Sequence, residues 1–388
     1  MRFIETNGLD IPIMVQFAKN GIIALLDEQP VHNLAESTAL NTKLGDLLST
    51  EELQELRSME LGYGSSLGDQ ELRRMIAASR DISSDRVLVT GGAISALFLS
   101  ILVLCGAENE IVTVTPSFPP ILDVIDALGI PCKKVRLSFE EGYRCIPERI
   151  IRELNSKTRI VLLITPHNPS GVCIGTMEVQ AILCAMKKKC PDAFLIVDET
   201  YREATYGDRP VPATAAQLSD QVITIASLSK CHGAPGLRIG WLTCKNLSTL
   251  EQLTTAKLNT LISCSVLDEF VARKTLERSH ALLAERRKMI SEALAIVSEW
   301  IDRQNERLQW VRPQGGALCC VRLNPSVFDD LQVQKLYEQA RVNGVQLAPG
   351  SWFYEDDHVF RLGFGFLPLA QLGKALDVIE HVVSRLSS

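Results

Sequence analysis

The chain has 388 residues, more than a single hydrophobic core usually supports, so two domains are expected. Hydrophobic residues make up 46% of the chain and charged residues 22%, which excludes an intrinsically disordered protein. The formal net charge is -6 and no long basic run is present, which excludes nucleic acid as a partner and argues against binding to anionic membranes.

The N-terminal residues and the cysteines bear on the cellular compartment. The chain begins M-R-F-I-E, which lacks the basic and then apolar pattern of a secretory signal. The uncharged stretch from Val87 to Ala107 is interrupted by Thr90-Gly91-Gly92, so it predicts a strand and a helix instead of a membrane span. The 11 cysteines are scattered without C-x-x-C spacing, which indicates neither a disulfide framework nor a metal site. We therefore expect a cytoplasmic protein with no membrane partner.

Short β-rich runs alternate with longer helix-compatible segments from about residue 87 to residue 243. Several of these runs are apolar almost throughout, as in strands buried on both faces. The predicted strands are 87–90, 110–114, 132–136, 159–164, 194–197, 221–226 and 238–243. Segments 93–105 and 177–189 between them are long enough for crossover helices. The sequence therefore predicts a large α/β domain with a mostly parallel, seven-stranded sheet.

The rest of the chain predicts a smaller domain. Residues 247–303 have a helical pattern without proline, and strands and helices alternate again after Pro313. Strands are predicted at 317–323, 345–347 and 359–362, and helices at 331–342 and 369–386. The first forty residues have too little pattern to form a domain alone. We expect a large domain of residues 45–288 and a small α+β domain formed by residues 1–44 and 289–388.

The sharpest chemical signal is the segment S-L-S-K-C-H-G-A-P-G-L-R-I-G at residues 227–240, directly after an apolar predicted strand. A lysine is rarely buried unless something uses it, and Lys230 follows two hydroxyl side chains. Arg238 comes eight residues later, after a Pro-Gly turn. An amine nucleophile beside donors suited to a phosphate indicates an aldehyde cofactor with a phosphate tail.

Three further segments place polar groups where predicted strands end. Asp198 ends a buried strand, where α/β sheets bind ligands, and Tyr201 lies three residues on. A carboxylate there suits a pyridine nitrogen that must stay protonated. Asn168, in T-P-H-N-P-S-G, offers an amide to a ring oxygen. Gly92 and Ala93 lead a strand into a helix, whose first N–H groups and dipole favour a phosphate.

These motifs resemble, in kind and order, those of the fold-type I aminotransferases of classes I and II, which depend on pyridoxal 5′-phosphate (PLP). The resemblance covers roughly residues 60–365, and the S-x-S-K-x-x-x-x-P-G-x-R-x-G block is its most specific part. It implies the fold-type I PLP-transferase fold, PLP as the cofactor and Lys230 as the lysine that forms a Schiff base with it. It also implies that Asp198 pairs with the pyridine nitrogen, and that Tyr201 and Asn168 bond the ring oxygen.

The same resemblance implies the remaining contacts. Phe118, in T-P-S-F, matches the aromatic residue that stacks on the cofactor ring. Tyr63, in G-Y-G-S-S-L-G-D-Q-E-L-R, matches the tyrosine that reaches the phosphate of the neighbouring subunit, which implies a homodimer with shared active sites. Arg361, in F-R-L-G-F-G, matches the arginine that binds the substrate α-carboxylate, with Asn168 beside it. The implied phosphate ligands are Gly92, Ala93, Ser227, Ser229 and Arg238.

One segment departs from the family pattern. Where the family usually has Gly-Glu-Pro or Gly-Asn-Pro, this chain reads N-L-A-E-S at residues 33–37. We hypothesise that Glu36 faces the substrate and favours a cationic or hydrogen-bond-donating side chain. The alternative is a solvated acidic loop residue. The L-A-E-S and G-Y-G-S-S stretches are similar to enzymes like capreomycidine synthase, a PLP enzyme that cyclises a hydroxylated arginine.

The resemblance implies amino-group transfer between an L-amino acid and a 2-oxo acid, with Lys230, Asp198 and Tyr201 as the catalytic residues. One alternative is a PLP-dependent elimination, replacement or cyclisation, which shares the first steps and the same site residues. A second alternative is a PLP-binding sensor domain of a transcription factor. That class carries an N-terminal DNA-binding domain, for which this chain has neither room nor basic charge.

Overall fold

The computed structural model describes residues 2–6, 9–13, 16–23, 30–106, 108–304 and 306–387. Parts of the predicted small-domain range 1–44 therefore lie outside the described residues. Strands β1 and β2 form an antiparallel hairpin. Helix α2 begins with a capping box, in which Ser49 and Glu52 satisfy each other's backbone N–H groups. The N-terminal elements are β1 (Arg2–Thr6), β2 (Leu9–Ile13), β3 (His32–Asn33), α1 (Leu44–Leu47), α2 (Thr50–Arg57) and α3 (Gln70–Ala78).

A seven-stranded sheet forms the centre of the fold. Its strands are β4 (Val87–Thr90), β5 (Glu110–Thr115), β6 (Cys132–Arg136), β7 (Thr158–Ile164), β8 (Phe194–Asp198), β9 (Val222–Ser227) and β10 (Gly240–Cys244). The strand order is β4-β10-β9-β8-β7-β5-β6. Strand β10 runs antiparallel to both of its neighbours, and the pairs from β9 to β6 are parallel. The predicted mostly parallel α/β sheet is confirmed.

Helices cover both faces of this sheet. They are α4 (Ala93–Leu104), α5 (Pro119–Ala127), α6 (Pro147–Glu153), α7 (Thr176–Lys189), α8 (Leu247–Thr260) and α9 (Val266–Glu277). The next helix, α10 (Ser279–Asp302), packs instead in the core of the second sheet. Helices α5 and α6 each begin with a proline in the first turn, where the missing N–H costs nothing. The predicted helices at 93–105 and 177–189 are thus confirmed as α4 and α7.

Strand β7 shows how the sequence builds the two faces. Alternate residues of a strand point to opposite sides, so Ile160, Leu162 and Ile164 pack with α4, α5 and α8. Val161 and Leu163 pack with α6 and α7 on the other side. All five side chains are almost completely buried, and each such burial stabilises the fold by about 1.5–3 kcal/mol.

A second, four-stranded sheet has the antiparallel order β11-β12-β15-β14. Its core is shared with α11, α12 and the C-terminal half of α10. Strand β13 pairs in parallel with β3, and the buried Leu34 that follows β3 joins this core. The elements are β11 (Leu308–Val311), β12 (Leu318–Leu323), α11 (Asp330–Val342), β13 (Val345–Gln346), β14 (Ala348–Pro349), β15 (Val359–Gly363) and α12 (Leu369–Leu386).

Three details differ from the sequence predictions. Strands β1, β2, β3, β11 and β14 were not predicted, and β14 is only two residues long and contains Pro349. Strand β10 begins at Gly240 instead of Arg238, because Arg238 adopts a left-handed conformation with φ of 50°. The predicted boundary between residues 288 and 289 falls within α10, so the domain limits stay a prediction. Among the described residues, no helix is both long and apolar enough to cross a membrane.

Candidate active site

Strand register brings the predicted site segments to one edge of the large sheet. Gly240 pairs with Thr90 on one side and with Ser227 on the other. Asp198 pairs with Ile225 of β9 and Ile164 of β7. The loops that follow β4, β7, β8 and β9 therefore leave the sheet together, at the edge where α/β proteins bind ligands.

The turn before α4 forms a cradle for an anion. Gly92 is the N-cap of α4, has φ of 90° and leaves the helix without a side-chain cap. A Cβ atom on Gly92 would lie 2.6 Å from Nη2 of Arg238, so the guanidinium group sits directly against this glycine. The Arg238 Nη1 atom donates to the carbonyl of Pro235 at 3.0 Å. Open helix N–H groups beside a fixed guanidinium suit a phosphate.

Ser227 lies at the same level of the sheet, one strand away from this cradle, because it pairs with Gly240. Its hydroxyl accepts a hydrogen bond from the Ser229 backbone N–H at 3.3 Å. The residues predicted to hold the phosphate therefore lie on adjoining segments, and their roles remain a proposal.

Lys230 lies in the interior of the site. Its Nζ atom donates to Oε1 of Glu36 and to Oγ of Ser37, each at 3.2 Å. The Ser37 hydroxyl also shares a hydrogen bond of 2.9 Å with the hydroxyl of Tyr201. Burial lowers the pKa of Lys230, but the electrostatic interactions with Glu36 and Tyr201 outweigh burial and hold it above its usual range. Hydrogen bonds thus connect Lys230, the predicted nucleophile, with the L-A-E-S segment. Through Ser37 they also connect it with Tyr201, a predicted ligand of the ring oxygen.

Glu36 is fixed by several hydrogen bonds and is not a solvated loop residue. Only 21% of its side chain is exposed. Besides Lys230, its Oε1 atom accepts from the backbone N–H groups of Ser37 at 2.7 Å and Thr38 at 3.0 Å. Burial raises its pKa, but the charges of Lys230 and Arg361 and these hydrogen bonds lower it to about 2. Glu36 is therefore a carboxylate at neutral pH.

Asp198 lies at the end of β8 with one oxygen engaged. Its Oδ1 atom accepts from the backbone N–H of Thr200 at 2.9 Å and from the Thr200 hydroxyl at 2.5 Å. Its Oδ2 atom has no hydrogen-bond partner among the described residues. Burial raises the pKa of Asp198, so its charged form needs a cationic partner. A protonated pyridine nitrogen would provide that partner.

Arg361 is 3% exposed and held rigidly by three contacts. Its Nη1 atom donates to Oδ1 of Asn168 at 3.0 Å, and Nη2 donates to the carbonyl of Ala35 at 2.5 Å. The guanidinium group lies 4.6 Å from the centre of the Phe353 ring. Within the described part of the chain, the buried Arg361 Nε atom has no hydrogen-bond partner. The hydrogen bond described for Asn168 uses its side-chain oxygen and leaves the amide nitrogen available. These donors suit a carboxylate and a ring oxygen, respectively.

Phe118 and Tyr63 are less closely tied to this cluster. Phe118 directly precedes α5 and packs, half-buried, against the apolar core under the sheet. Tyr63 is 87% exposed, and its hydroxyl bonds no described residue. None of the described contacts joins Tyr63 to Lys230.

Sequence reasoning missed several supporting residues. Ser37 and Thr200 each lie next to a predicted residue, and their hydroxyl groups were the signal that could have found them. The carbonyl of Ala35 and the ring of Phe353 gave no such signal, because backbone acceptors and buried aromatic residues occur throughout any core.

The donor set fits PLP. The Gly92 cradle suits its phosphate, the free oxygen of Asp198 suits its ring nitrogen, and the free amide of Asn168 suits its ring oxygen. The partly buried amine of Lys230 suits its aldehyde. The mostly parallel sheet and this donor set define the class of protein as a fold-type I, PLP-dependent enzyme.

Comparison with known proteins places the chain within that class. Residues 30–379 match the family model of aminotransferase class I and II. The chain belongs to this family and is a PLP-dependent aminotransferase. Enzymes of this family act on amino acids and 2-oxo acids.

Named relatives and solved structures agree with this family. The chain is 29% identical to capreomycidine synthase of Streptomyces vinaceus over 90% of this chain and 87% of that enzyme. It is 27% identical to the arginine–pyruvate transaminase AruH of Pseudomonas aeruginosa over 68% of each chain. The crystal structure of a PLP-dependent aminotransferase from Streptococcus suis superimposes with a TM-score of 0.86 and 22% identity, covering 96% of this chain and 99% of the other. That likeness confirms the fold.

Proposed function

We propose that the chain transfers an amino group between an L-amino acid and a 2-oxo acid, with PLP bound covalently to Lys230. The observation that carries this proposal is the partly buried amine of Lys230, which lies within reach of Glu36 and Ser37 and is linked through Ser37 to Tyr201. Steady-state kinetics test it. A ping-pong pattern with an amino acid and a 2-oxo acid is expected, whereas dependence on a ternary complex would contradict it.

Each residue has a distinct task in this proposal. When bound, PLP supplies an electron sink for the pair of electrons left at the substrate α-carbon. The carboxylate of Asp198 keeps a proton on the ring nitrogen, and Tyr201 and Asn168 bond the ring oxygen. The neutral amine of Lys230 takes the α-proton and returns it during the transfer. The phosphate ligands are Gly92, Ala93, Ser227, Ser229 and Arg238, and Phe118 stacks on the ring.

Substrate orientation depends on Arg361. Its guanidinium group is fixed by Asn168, Ala35 and Phe353, so it can bind a carboxylate without losing side-chain freedom. Binding the α-carboxylate there holds the α-carbon near Lys230. Asn168 orients Arg361 through its side-chain oxygen and bonds the ring oxygen of the cofactor through its amide nitrogen.

The second candidate is a PLP-dependent elimination, replacement or cyclisation. The 29% identity to capreomycidine synthase over most of both chains favours it as the alternative. The two reactions share the removal of the α-proton by Lys230 and differ in whether the electron pair then expels a leaving group.

We also propose a cytoplasmic homodimer with shared active sites. The apolar side chains of Leu61, Tyr63, Leu261 and Ile262 are exposed. Leu261 lies 3.5 Å from where a Cβ atom of Gly91 would be, so part of this apolar surface borders the phosphate cradle. A second subunit that covers it would bring its own Tyr63 to that cradle.

Tyr63→Phe tests the shared site. Losing one hydrogen bond to a charged phosphate costs about 1.5–3 kcal/mol, so PLP affinity should fall about tenfold or more. Equilibrium dialysis of the variant measures this, and sedimentation of the unaltered protein measures its assembly. A fully active monomer at the assay concentration would contradict the proposal.

Glu36→Gln tests whether this carboxylate selects the substrate side chain. The arginine–pyruvate transaminase among the relatives supports a cationic side chain. Once PLP occupies Lys230, Glu36 loses its amine partner and can pair with a substrate guanidinium or ammonium group. The KM for arginine-like amino acids should rise about tenfold, while apolar amino acids are spared. An equal effect on all substrates, or none, would exclude Glu36 from side-chain recognition.

A further inference from the structure

Glu36 makes a contact that substrate recognition alone does not explain, because it lies against the reacting lysine itself. The Glu36 Oε1 atom is 3.2 Å from Nζ of Lys230. The Ser37 hydroxyl is a second acceptor for the same amine, also at 3.2 Å. Two neighbouring residues of one loop therefore hold the lysine amine from the same side.

The loop that carries Glu36 is built to keep the carboxylate in place. The Asn33 Oδ1 atom accepts from the backbone N–H groups of Ala35 at 3.1 Å and Glu36 at 3.0 Å. The carbonyl of Leu34 accepts from the backbone N–H of Gly363 at 2.7 Å, which ties the loop to β15. A fixed anion stabilises a nearby cation without the entropy cost of ordering a flexible side chain.

We propose that Glu36 is a positioning residue that holds the Lys230 amine as an ammonium group in the PLP-free protein. This inference rests on the proposed attachment of PLP to Lys230. Three titratable groups act on Lys230: Glu36 and Tyr201 raise its pKa, and Arg361 lowers it. Lys230 in turn lowers the pKa of Asp198. Among these, Glu36 alone makes a direct ion pair with the amine.

The consequence is a particular pH dependence. Only a neutral amine has the free electron pair needed to bond PLP or to accept a proton. Glu36 favours the ammonium form, so it raises the pKa of Lys230 and lowers the fraction of neutral amine at a given pH. Glu36→Gln removes the negative charge, which lowers that pKa and increases the neutral fraction in acid solution.

The test is the rate at which the PLP-free protein captures PLP, measured by stopped-flow absorbance over a range of pH. At pH values below the one at which the unaltered protein captures PLP at half its maximal rate, Glu36→Gln should capture PLP on the order of tenfold faster. The two rates should converge in alkaline solution, where the amine is neutral in both proteins. Glu36→Asp keeps the charge at a greater distance and should give an intermediate profile. Glu251→Gln, on an exposed face of α8, removes the same charge and should match the unaltered protein.

Three outcomes would overturn the inference. Superimposable profiles would show that Glu36 does not act on the amine. A change by the same factor at every pH would show that Glu36 only repels the anionic cofactor. Acylation of the PLP-free protein, followed by peptide mapping, reports the neutral fraction of Lys230 independently of PLP, and an unchanged pH profile in both Glu36 variants would overturn it too. Borohydride reduction that fixed PLP on another lysine would instead contradict the proposed function.

Discussion

Lys230→Ala should abolish turnover and covalent attachment of PLP. The variant lacks both the amine that bonds the cofactor and the base that takes the α-proton. A positioned general base alone contributes about 10²–10⁴-fold to a rate, and the lost covalent attachment adds to this. Absorbance of the purified variant and its rate with a panel of amino acids measure the two losses separately.

Borohydride reduction of the unaltered enzyme identifies the lysine directly, because it fixes the cofactor on the residue that holds it. Peptide mapping should then find PLP on Lys230. The matched comparison is Lys257, which is fully buried but donates to the carbonyl of Ser66 at 2.6 Å. PLP on Lys257, or on any lysine other than Lys230, would show the assignment to be wrong.

Asp198→Asn should leave PLP bound and lower turnover on the order of 10²–10³-fold. The amide has nearly the same shape but no negative charge, so it cannot keep a proton on the ring nitrogen. The described hydrogen bonds of Lys230 go to Glu36 and Ser37 and not to Asp198, so covalent attachment should persist. Turnover and the spectrum of bound cofactor are measured on the same sample.

Asp220→Asn is the matched control, because Asp220 is exposed and lies just before β9 instead of at the end of β8. It should have normal turnover. Near-normal turnover of Asp198→Asn would remove Asp198 from the mechanism. Loss of PLP from that variant would indicate a structural role for the carboxylate.

The large sheet could be predicted because most of its strands are apolar runs separated by turn residues. The predicted strand 132–136 matches β6 residue for residue, and β7 begins only one residue earlier than predicted. Strand β14 could not be found in this way, because two residues have no periodicity and proline disfavours a strand. Arg238 was assigned to a strand, whereas its guanidinium group turns back against Gly92 and its backbone leaves the extended conformation.

The site was predictable where a local motif carries the chemistry, and not where distant segments meet. The residues around Lys230 could be recognised within fourteen consecutive positions. The contact between Glu36 and Lys230 spans 194 positions, and that between Ser37 and Tyr201 spans 164. Neither has a pattern in the sequence, because both depend on how the loop after β3 is fixed against β15. The sequence hypothesis that Glu36 faces the substrate drew attention to this loop, but it did not include the ion pair between Glu36 and Lys230.

The most direct test of amino-group transfer is to mix the PLP-bound enzyme with an amino acid, arginine among the first, and no 2-oxo acid. The account predicts pyridoxamine 5′-phosphate and a 2-oxo acid in equal amounts, each limited by the PLP originally bound. Adding a 2-oxo acid should then restore PLP. A cofactor that remains PLP while ammonia, a released leaving group or a cyclised product accumulates over many turnovers would contradict the account.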